Sequence, residues 1–377
     1  MSTNLAEESH KRELEAVAGR IIDLSRGQRP HAELRSRLAE DLGGLNLQSI
    51  RPYSASLEED PQHHSNYYIA VDLLENGKAQ PVLVHIAPSA TAVMSRFAAI
   101  GQSFRVRPAG GEEVLIRHFP FASRDYASIR TFAEQLAPEF LPRPQRDLPA
   151  IAAGNRHPEI SLPAVFDAFR EILEKLKVNM ASTVQLSATR EMTTDDAIAA
   201  RDGENPTALG HTRVSIRHLY YAGLWAAIRA GWRVGYSAEA DHFIVSGSTP
   251  DDVKWSVEMV KEAIRHAAGY TKFTTDSSRM FELQADPRHP QAWNDAVVTE
   301  KFEKQFTGDE RRWILAEFSR PFRIEGVAYD LSREEILRLA VKFGESLRLN
   351  EELFDEIKSV KAKAGLGTDF DFEPSLD

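Results

Sequence analysis

Between residues 214 and 276 the chain repeats one motif: a helix, a glycine, then a strand. Ile216, Leu219, Tyr220, Gly223, Leu224, Ala227 and Ile228 follow the i, i+3, i+4, i+7, i+8 spacing of an amphipathic helix. Gly231 ends it, as a residue free to adopt positive φ does, and Arg233 to Ala238 reads as the next strand. Thr249 then caps a second helix with Pro250 in its first turn and Asp251 and Asp252 against its dipole. Its core face is Val253, Val257, Val260, Ile264 and Ala267. Gly269 closes it, and strand Tyr270 to Asp276 follows. Upstream, Ser161 can cap a helix carrying Val165, Phe166, Phe169, Ile172, Leu173 and Leu176, followed by a strand over Val178 to Leu186. Strands alternating with helices of this length predict a parallel sheet with helical crossovers. The dinucleotide fingerprint G-x-G-x-x-G and the phosphate loop G-x-x-x-x-G-K-[ST] are both missing. The preferred fold class is therefore α/β, a (β/α) barrel rather than a Rossmann sheet.

The first part differs. Leu5 to Leu24 and His31 to Leu42 carry helical spacing. Asn66 to Leu73 and Pro81 to Ile86 are β-rich runs flanking Glu75-Asn76-Gly77-Lys78, and Asn-Gly between such runs is a strong hairpin signal. A strand over Glu113 to Phe119 and a helix over Tyr126 to Leu136 complete a small α+β domain, 1–139. Three prolines between Pro142 and Pro149 mark a boundary. The expected division is 1–139, a Pro-rich linker and entry segment over 140–160, and a barrel portion over 161–377. The polar stretch Ala188 to Pro206 resembles a functional loop. Two further helices are expected after Asp276, with Ser332-Arg333-Glu334-Glu335 as a capping box and Asn350 as a second cap. At the end, Phe370 and Phe372 alternate with acids, the period of a strand. This reads as a barrel strand without its neighbour, and predicts a barrel incomplete at the C-terminus and a chain that is a fragment of a longer protein.

Composition narrows the function. The net charge of -10 argues against a nucleic-acid partner. The absence of cysteine rules out disulfides, thiolate nucleophiles and Cys-based zinc sites. The N-terminus has no apolar signal core, and no stretch has the length of a membrane span, so a cytoplasmic location without membrane contact is expected.

Functional groups of a barrel gather at the C-terminal ends of its strands. Glu239-Ala240-Asp241-His242 follows one predicted strand, and Asp with His suits a borderline divalent metal. Against this, neighbouring side chains on a strand point to opposite faces, and Asp241 could simply cap a turn beside an exposed His242. Asp276 ends the next strand before Ser277 and Ser278. It could be a general base, a metal ligand or a hydroxyl acceptor, and equally the cap of the next segment. Glu373 and Asp377 sit on the terminal strand. Arg213 and Arg217 begin the clearest helix, with His211 and His218, where a carboxylate or phosphate could be held; a solvated first turn is the plainer reading for His218. His63-His64 reads as surface.

Four segments together resemble the tagaturonate/fructuronate epimerase family of metal-dependent enzymes. They are Phe140-Leu141-Pro142-Arg143 with Pro149 to Gly154; Ala238-Glu239-Ala240-Asp241-His242; Phe273-Thr274-Thr275-Asp276; and Phe370 to Asp377. The resemblance covers most of the chain from about Arg130 onward. It implies a barrel, a divalent cation (zinc, nickel, manganese or cobalt) and a keto-hexuronate substrate, with a homo-oligomer as a further expectation. It makes Asp241 and His242 candidate metal ligands, Glu239, Asp276 and Glu373 candidate acid–base groups, and Arg213, Arg217 and Lys272 candidates for holding substrate. Family members continue beyond the segment that matches Phe370 to Asp377. The two keto-hexuronates differ at one hydroxyl-bearing carbon β to the ketone, whose hydrogen is too weakly acidic for simple proton transfer. Retro-aldol cleavage and aldol re-formation would invert it. A class II aldolase-like lyase and a non-catalytic sugar-acid binder remain alternatives.

Overall fold

The structure, a computed structural model, describes residues 2–27, 30–89, 97, 103–108, 111–146, 148–155, 157–177, 181–186, 193–200 and 214–375. The chain divides into two compact units, one through Glu239 and one from Ala240 onward. Among the described residues no helix is long and apolar enough to cross a membrane.

The first unit opens with helices α1 (Ser2–Ser25) and α2 (His31–Gly43), matching the periodic runs. Strands β1 (Ile50–Pro52), β2 (Glu58–Glu59), β3 (Tyr67–Glu75), β4 (Lys78–Pro88), β5 (Ser103–Val106) and β6 (Val114–Pro120) form an antiparallel sheet in the order β1-β3-β4-β6-β5, with β2 also on β3. The β3–β4 turn is the expected Asn76-Gly77, both at positive φ (50° and 74°), the backbone a two-residue hairpin turn requires. Alternation sends Ile69, Val71, Val84, Ile86 and Ile116 into one core with Leu14, Val17, Ile21, Leu34 and Leu38 of the two helices. Helix α3 (Tyr126–Gln135) follows.

Next come β7 (Ala150–Asn155), α4 (Pro158–Leu176), β8 (Ala181–Leu186), α5 (Asp195–Ala200) and α6 (Ile216–Ala230). One expectation changes here, and the entry segment gains a strand. Segment 140–160 contains β7, which pairs in parallel with β8 from Ala150↔Ala181 to Asn155↔Leu186. Ser161 is not the helix cap: α4 begins at Pro158 after His157, because proline supplies a ready first-turn φ and needs no donor. Part of the polar stretch 188–206 is α5; the rest lies outside the described residues. Helix α6 starts on Ser215, whose hydroxyl accepts from the His218 amide, and ends at Gly231 in the left-handed conformation.

Strand β9 (Ser237–Ile244) begins later than expected. Gly235 stands at φ +100°, which breaks the run from Arg233, and a Cβ there would fall 2.4 Å from Arg143 Nε. Then follow α7 (Pro250–His266), β10 (Lys272–Asp276), α8 (Asp295–Gln305), α9 (Gly308–Phe318), the hairpin β11 (Phe322–Ile324) and β12 (Val327–Tyr329), α10 (Arg333–Lys363) and β13 (Asp371–Ser375). Thr249/Asp252 and Ser332/Glu335 are full capping boxes. Asn350 caps nothing. It lies inside the continuous 31-residue α10, 4% exposed.

Strands β7 to β10 and β13 form a five-stranded parallel sheet in the order β13-β10-β9-β8-β7. Within this sheet the strands follow chain order, with the separate β11–β12 hairpin inserted between β10 and β13. The terminal strand read from Phe370 and Phe372 exists, pairing with β10 from Lys272↔Asp371 to Asp276↔Ser375.

Candidate functional site

In β10, Thr275 donates to Asn350 of α10 and the ring of Phe273 lies 5.8 Å from Lys361 Nζ. The side chains of Phe273 and Thr275 therefore face α10, and alternation turns Lys272, Thr274 and Asp276 to the opposite face. Their parallel partners on β13 are Asp371, Glu373 and Ser375. Lys272 Nζ and Glu373 Oε2 form an ion pair at 2.6 Å. Glu373, a candidate acid–base group, is thus occupied by Lys272, a candidate substrate ligand, and half of its side chain is in solvent.

Asp276 ends β10, and its two oxygens are used differently. Oδ1 accepts from the Ser278 amide at 3.1 Å and the Ser278 hydroxyl at 2.6 Å, closing a local turn, while the cap position of the short helix that follows is Ser277, not Asp276. Oδ2 faces His242 Nδ1 at 4.0 Å. His242 Nε2 stands 3.9 Å from Asp241 Oδ1. Both separations exceed hydrogen-bond length, and His242 Nδ1 is buried without a hydrogen-bond partner. The imidazole thus sits between two carboxylates with an edge toward each.

Strand alternation argued against Asp241 and His242 acting together. The backbone resolves this. His242 has φ +53°, inside β9. A left-handed residue interrupts the pleat, as it does in a bulge, and lets consecutive side chains approach each other. For a residue with a Cβ this conformation costs about 1–2 kcal/mol, and such strain clusters at functional positions.

The expected divalent metal can be tested on these donors. Asp241 and Asp276 address opposite nitrogens of His242, so an ion on either nitrogen would have one carboxylate beside it. Among the described residues no three His, Asp or Glu side chains are grouped to hold one ion. The Asp241/His242 pair fits part of a coordination shell.

Other candidates lie elsewhere. Glu239, in the first unit, is inside β9 and 1% exposed. Arg217, exposed on α6, stacks its guanidinium over Tyr126 at 4.6 Å. Its neighbour His218 is buried, not solvated, because it points into the packed face of the helix. Arg213, His211 and Asp377 lie outside the described residues. His63 and His64 are surface residues, near Asp60 and Glu59.

Four residues bear on the site in a role the sequence does not suggest: Ser346, Thr275 and Ser277 beside Asp276, and Asn350, whose type reads as a helix cap. Asn350 Nδ2 donates to Ser277 Oγ and to the Ser346 carbonyl, both at 2.9 Å, while its Oδ1 accepts from Thr275 Oγ1 at 2.5 Å. Ser277 and Ser346 hydroxyls bond at 2.7 Å. All four side chains are buried. This network flanks Asp276 on both sides and ties the end of β10 to α10. Ser346 and Asn350 stand four apart on a helix whose buried face also holds Leu349, Leu353 and Ile357, a register that marks them as inward-facing.

No protein-family model matches the sequence, and no curated protein matches it. Solved structures do resemble the fold. Two glycerol-complexed crystal structures of fructuronate-tagaturonate epimerase UxaE from Cohnella laeviribosi superpose with TM-scores of 0.52 and 0.53 at 14% identity. The matches cover 87% and 92% of this chain and 53% and 56% of those chains. The native structure of that enzyme matches at TM-score 0.50 and 13% identity, over 89% of this chain and 54% of its own. The chain thus spans about half the length of these structures, and at this identity the likeness is one of fold.

Proposed function

We propose that this chain carries the fold and part of the active site of a hexuronate epimerase that interconverts D-tagaturonate and D-fructuronate on a (β/α) barrel. The observation that carries the reading is the Asp241–His242–Asp276 cluster at the ends of adjacent parallel strands, in a chain whose fold resembles UxaE. The strand order supports a barrel: a doubly wound sheet reverses direction at a switch point, whereas here the sheet's own strands run on in one direction, with the β11–β12 hairpin standing outside it.

In the retro-aldol route, Asp276 Oδ2 takes the proton of the hydroxyl on the carbon β to the ketone. The bond between the α and β carbons breaks, its electron pair becomes the enediolate of the ketone half, and the β carbon becomes an aldehyde. The aldehyde turns, the enediolate re-adds to its other face, and the new alkoxide recovers the proton from Asp276. Ser278 fixes the other carboxylate oxygen, so Oδ2 holds a defined direction. His242 offers Nδ1 toward the same space. A divalent ion, bound by Asp241 and His242 with further ligands, would polarise the ketone. Lys272 lies on the same sheet face, and a uronate carboxylate held there would take the place of Glu373 beside its ammonium.

The test is turnover. The protein is incubated with D-tagaturonate and a divalent metal salt, and D-fructuronate is followed by chromatography. Asp276→Asn should lower the rate by at least about a hundredfold, the scale of a lost acid–base group. Release of dihydroxyacetone and a three-carbon aldehyde acid instead of the epimer would favour an aldolase. Undiminished turnover after metal stripping would remove the ion from the scheme.

A further inference from the structure

Thirteen large hydrophobic residues are exposed among the described residues, and seven of them lie between Trp313 and Leu347. They are not scattered there. In the β11–β12 hairpin, Phe322 pairs with Tyr329 and Ile324 with Val327. Alternation places these four side chains on one face and leaves Arg323 and Ala328 on the other. Ile324 is 55% exposed, Val327 56% and Tyr329 41%. Phe322 also lines a cleft of about 460 Å³ whose walls include Trp313, Phe318, Leu339 and Leu347. Hairpin and cleft therefore form one continuous apolar surface. Taking about 200 Å² for a large apolar residue, the seven exposures leave roughly 700 Å² uncovered. That exceeds the few hundred Å² ordinary for a monomer surface and approaches the ~800 Å² per partner of a stable interface.

We infer that this surface is a homodimer interface, formed by antiparallel addition of β12 to β12 of a second copy. Two features select a second copy of this chain. Among the described residues the sheet has two strands and nothing pairs with the outer edge of β12, and a two-stranded hairpin is marginal in water. The strand is also self-complementary. Antiparallel pairing about Ala328 sets Val327 of each chain opposite Tyr329 of the other, giving two aromatic–β-branched pairs, which are favourable in sheets. A twofold axis requires such a patch, since each residue must suit its partner's counterpart. The result is a four-stranded sheet whose apolar face is doubled in width.

The absence of native cysteine makes a direct test available. Pairing about Ala328 puts the two Ala328 Cα atoms about 4.5–5.5 Å apart, within disulfide range. Ala328→Cys in the full chain should form an intermolecular disulfide under mild oxidation at least about tenfold faster than Lys304→Cys, which sits on exposed α8. Sedimentation equilibrium of the unmodified chain should show a dimer. Val327→Glu should weaken that dimer by at least about tenfold with an unchanged circular dichroism spectrum. A monomer at every concentration overturns the inference. So does a dimer in which Ala328→Cys cross-links no faster than Lys304→Cys; this second readout stands even where Val327→Glu perturbs folding.

Discussion

Asn350 offers a sharp test of the physical account, because one side chain joins three groups on two elements. Replacing it with alanine removes the bonds to Thr275 Oγ1, Ser277 Oγ and the Ser346 carbonyl. A buried hydrogen bond contributes about 1 kcal/mol net, so three sum to about 3 kcal/mol. Alanine returns about 0.6 kcal/mol through better helix propensity. Ser277 keeps its bond to Ser346, while the Thr275 hydroxyl is left without its Asn350 acceptor. The expected net loss is about 2.5 kcal/mol, read as a fall in the urea midpoint. The double variant Thr275→Val/Asn350→Leu should recover at least about 1 kcal/mol relative to the sum of the singles, because both polar partners leave together. If Asn350→Ala loses less than about 0.5 kcal/mol, or the two sites prove additive within about 0.5 kcal/mol, the network does not fasten β10 to α10. Turnover, where present, should fall with it through kcat, since Asp276 is held between two of the anchored residues.

Three further outcomes follow from particular geometries. Lys361 is 3% exposed, and burial pushes its ammonium down to about 8 while it donates to the Ala268 and Tyr270 carbonyls. Below that value both folded and unfolded chains carry the proton. As pH rises from about 8 toward 10.5 the folded chain releases it first, so stability should increase by up to about 3 kcal/mol. Lys361→Met should remove that rise in urea midpoints taken between pH 7 and 10. Gly231→Ala should destabilise by about 3 kcal/mol or more, since it joins left-handed strain to overpacking where the new Cβ would lie 2.3 Å from Ala55 Cβ. Gly77→Ala, at φ +74° with open space around it, should lose only about 1 kcal/mol; equal losses would show that space does not matter. His242→Gly should relieve about 1 kcal/mol of left-handed strain while abolishing turnover, and a calorimetric scan showing clear destabilisation would contradict the strain reading.

Much of the frame was legible because its signals are local. Asn76-Gly77 specifies a hairpin turn through its own φ preferences. Gly231 ends α6, and the Thr249/Asp252 box starts α7, within one turn of chain. Elements fixed from afar were misread. The start of β9 depends on Gly235 lying against Arg143, some ninety residues earlier. Asn350 has the composition of a cap, yet it is drawn into the interior by Thr275 and Ser277, which the sequence puts some seventy positions away. The β11–β12 hairpin does carry a local signal, Glu325-Gly326 at positive φ between two short alternating runs.

The site shows why local rules and function part company. Pleat alternation places Asp241 and His242 on opposite faces, and a sequence obeying it could not set both beside Asp276. One residue at φ +53° breaks the rule and brings two adjacent side chains together. Nothing in the dipeptide Asp-His announces that conformation, because glycine is the residue that ordinarily adopts it. The strain is tolerable because the surroundings hold the strand firmly: the Val245 amide bonds to the Asp276 carbonyl at 2.9 Å, Phe243 stacks on Phe273, and the Asn350 network holds the end of β10. A backbone fixed just after the strained residue and along the neighbouring strand cannot relax it without losing those bonds. The stability carried by Asn350 and the geometry at His242 are therefore linked, and loosening the first should let the second return toward ordinary strand geometry, carrying its imidazole away from Asp276.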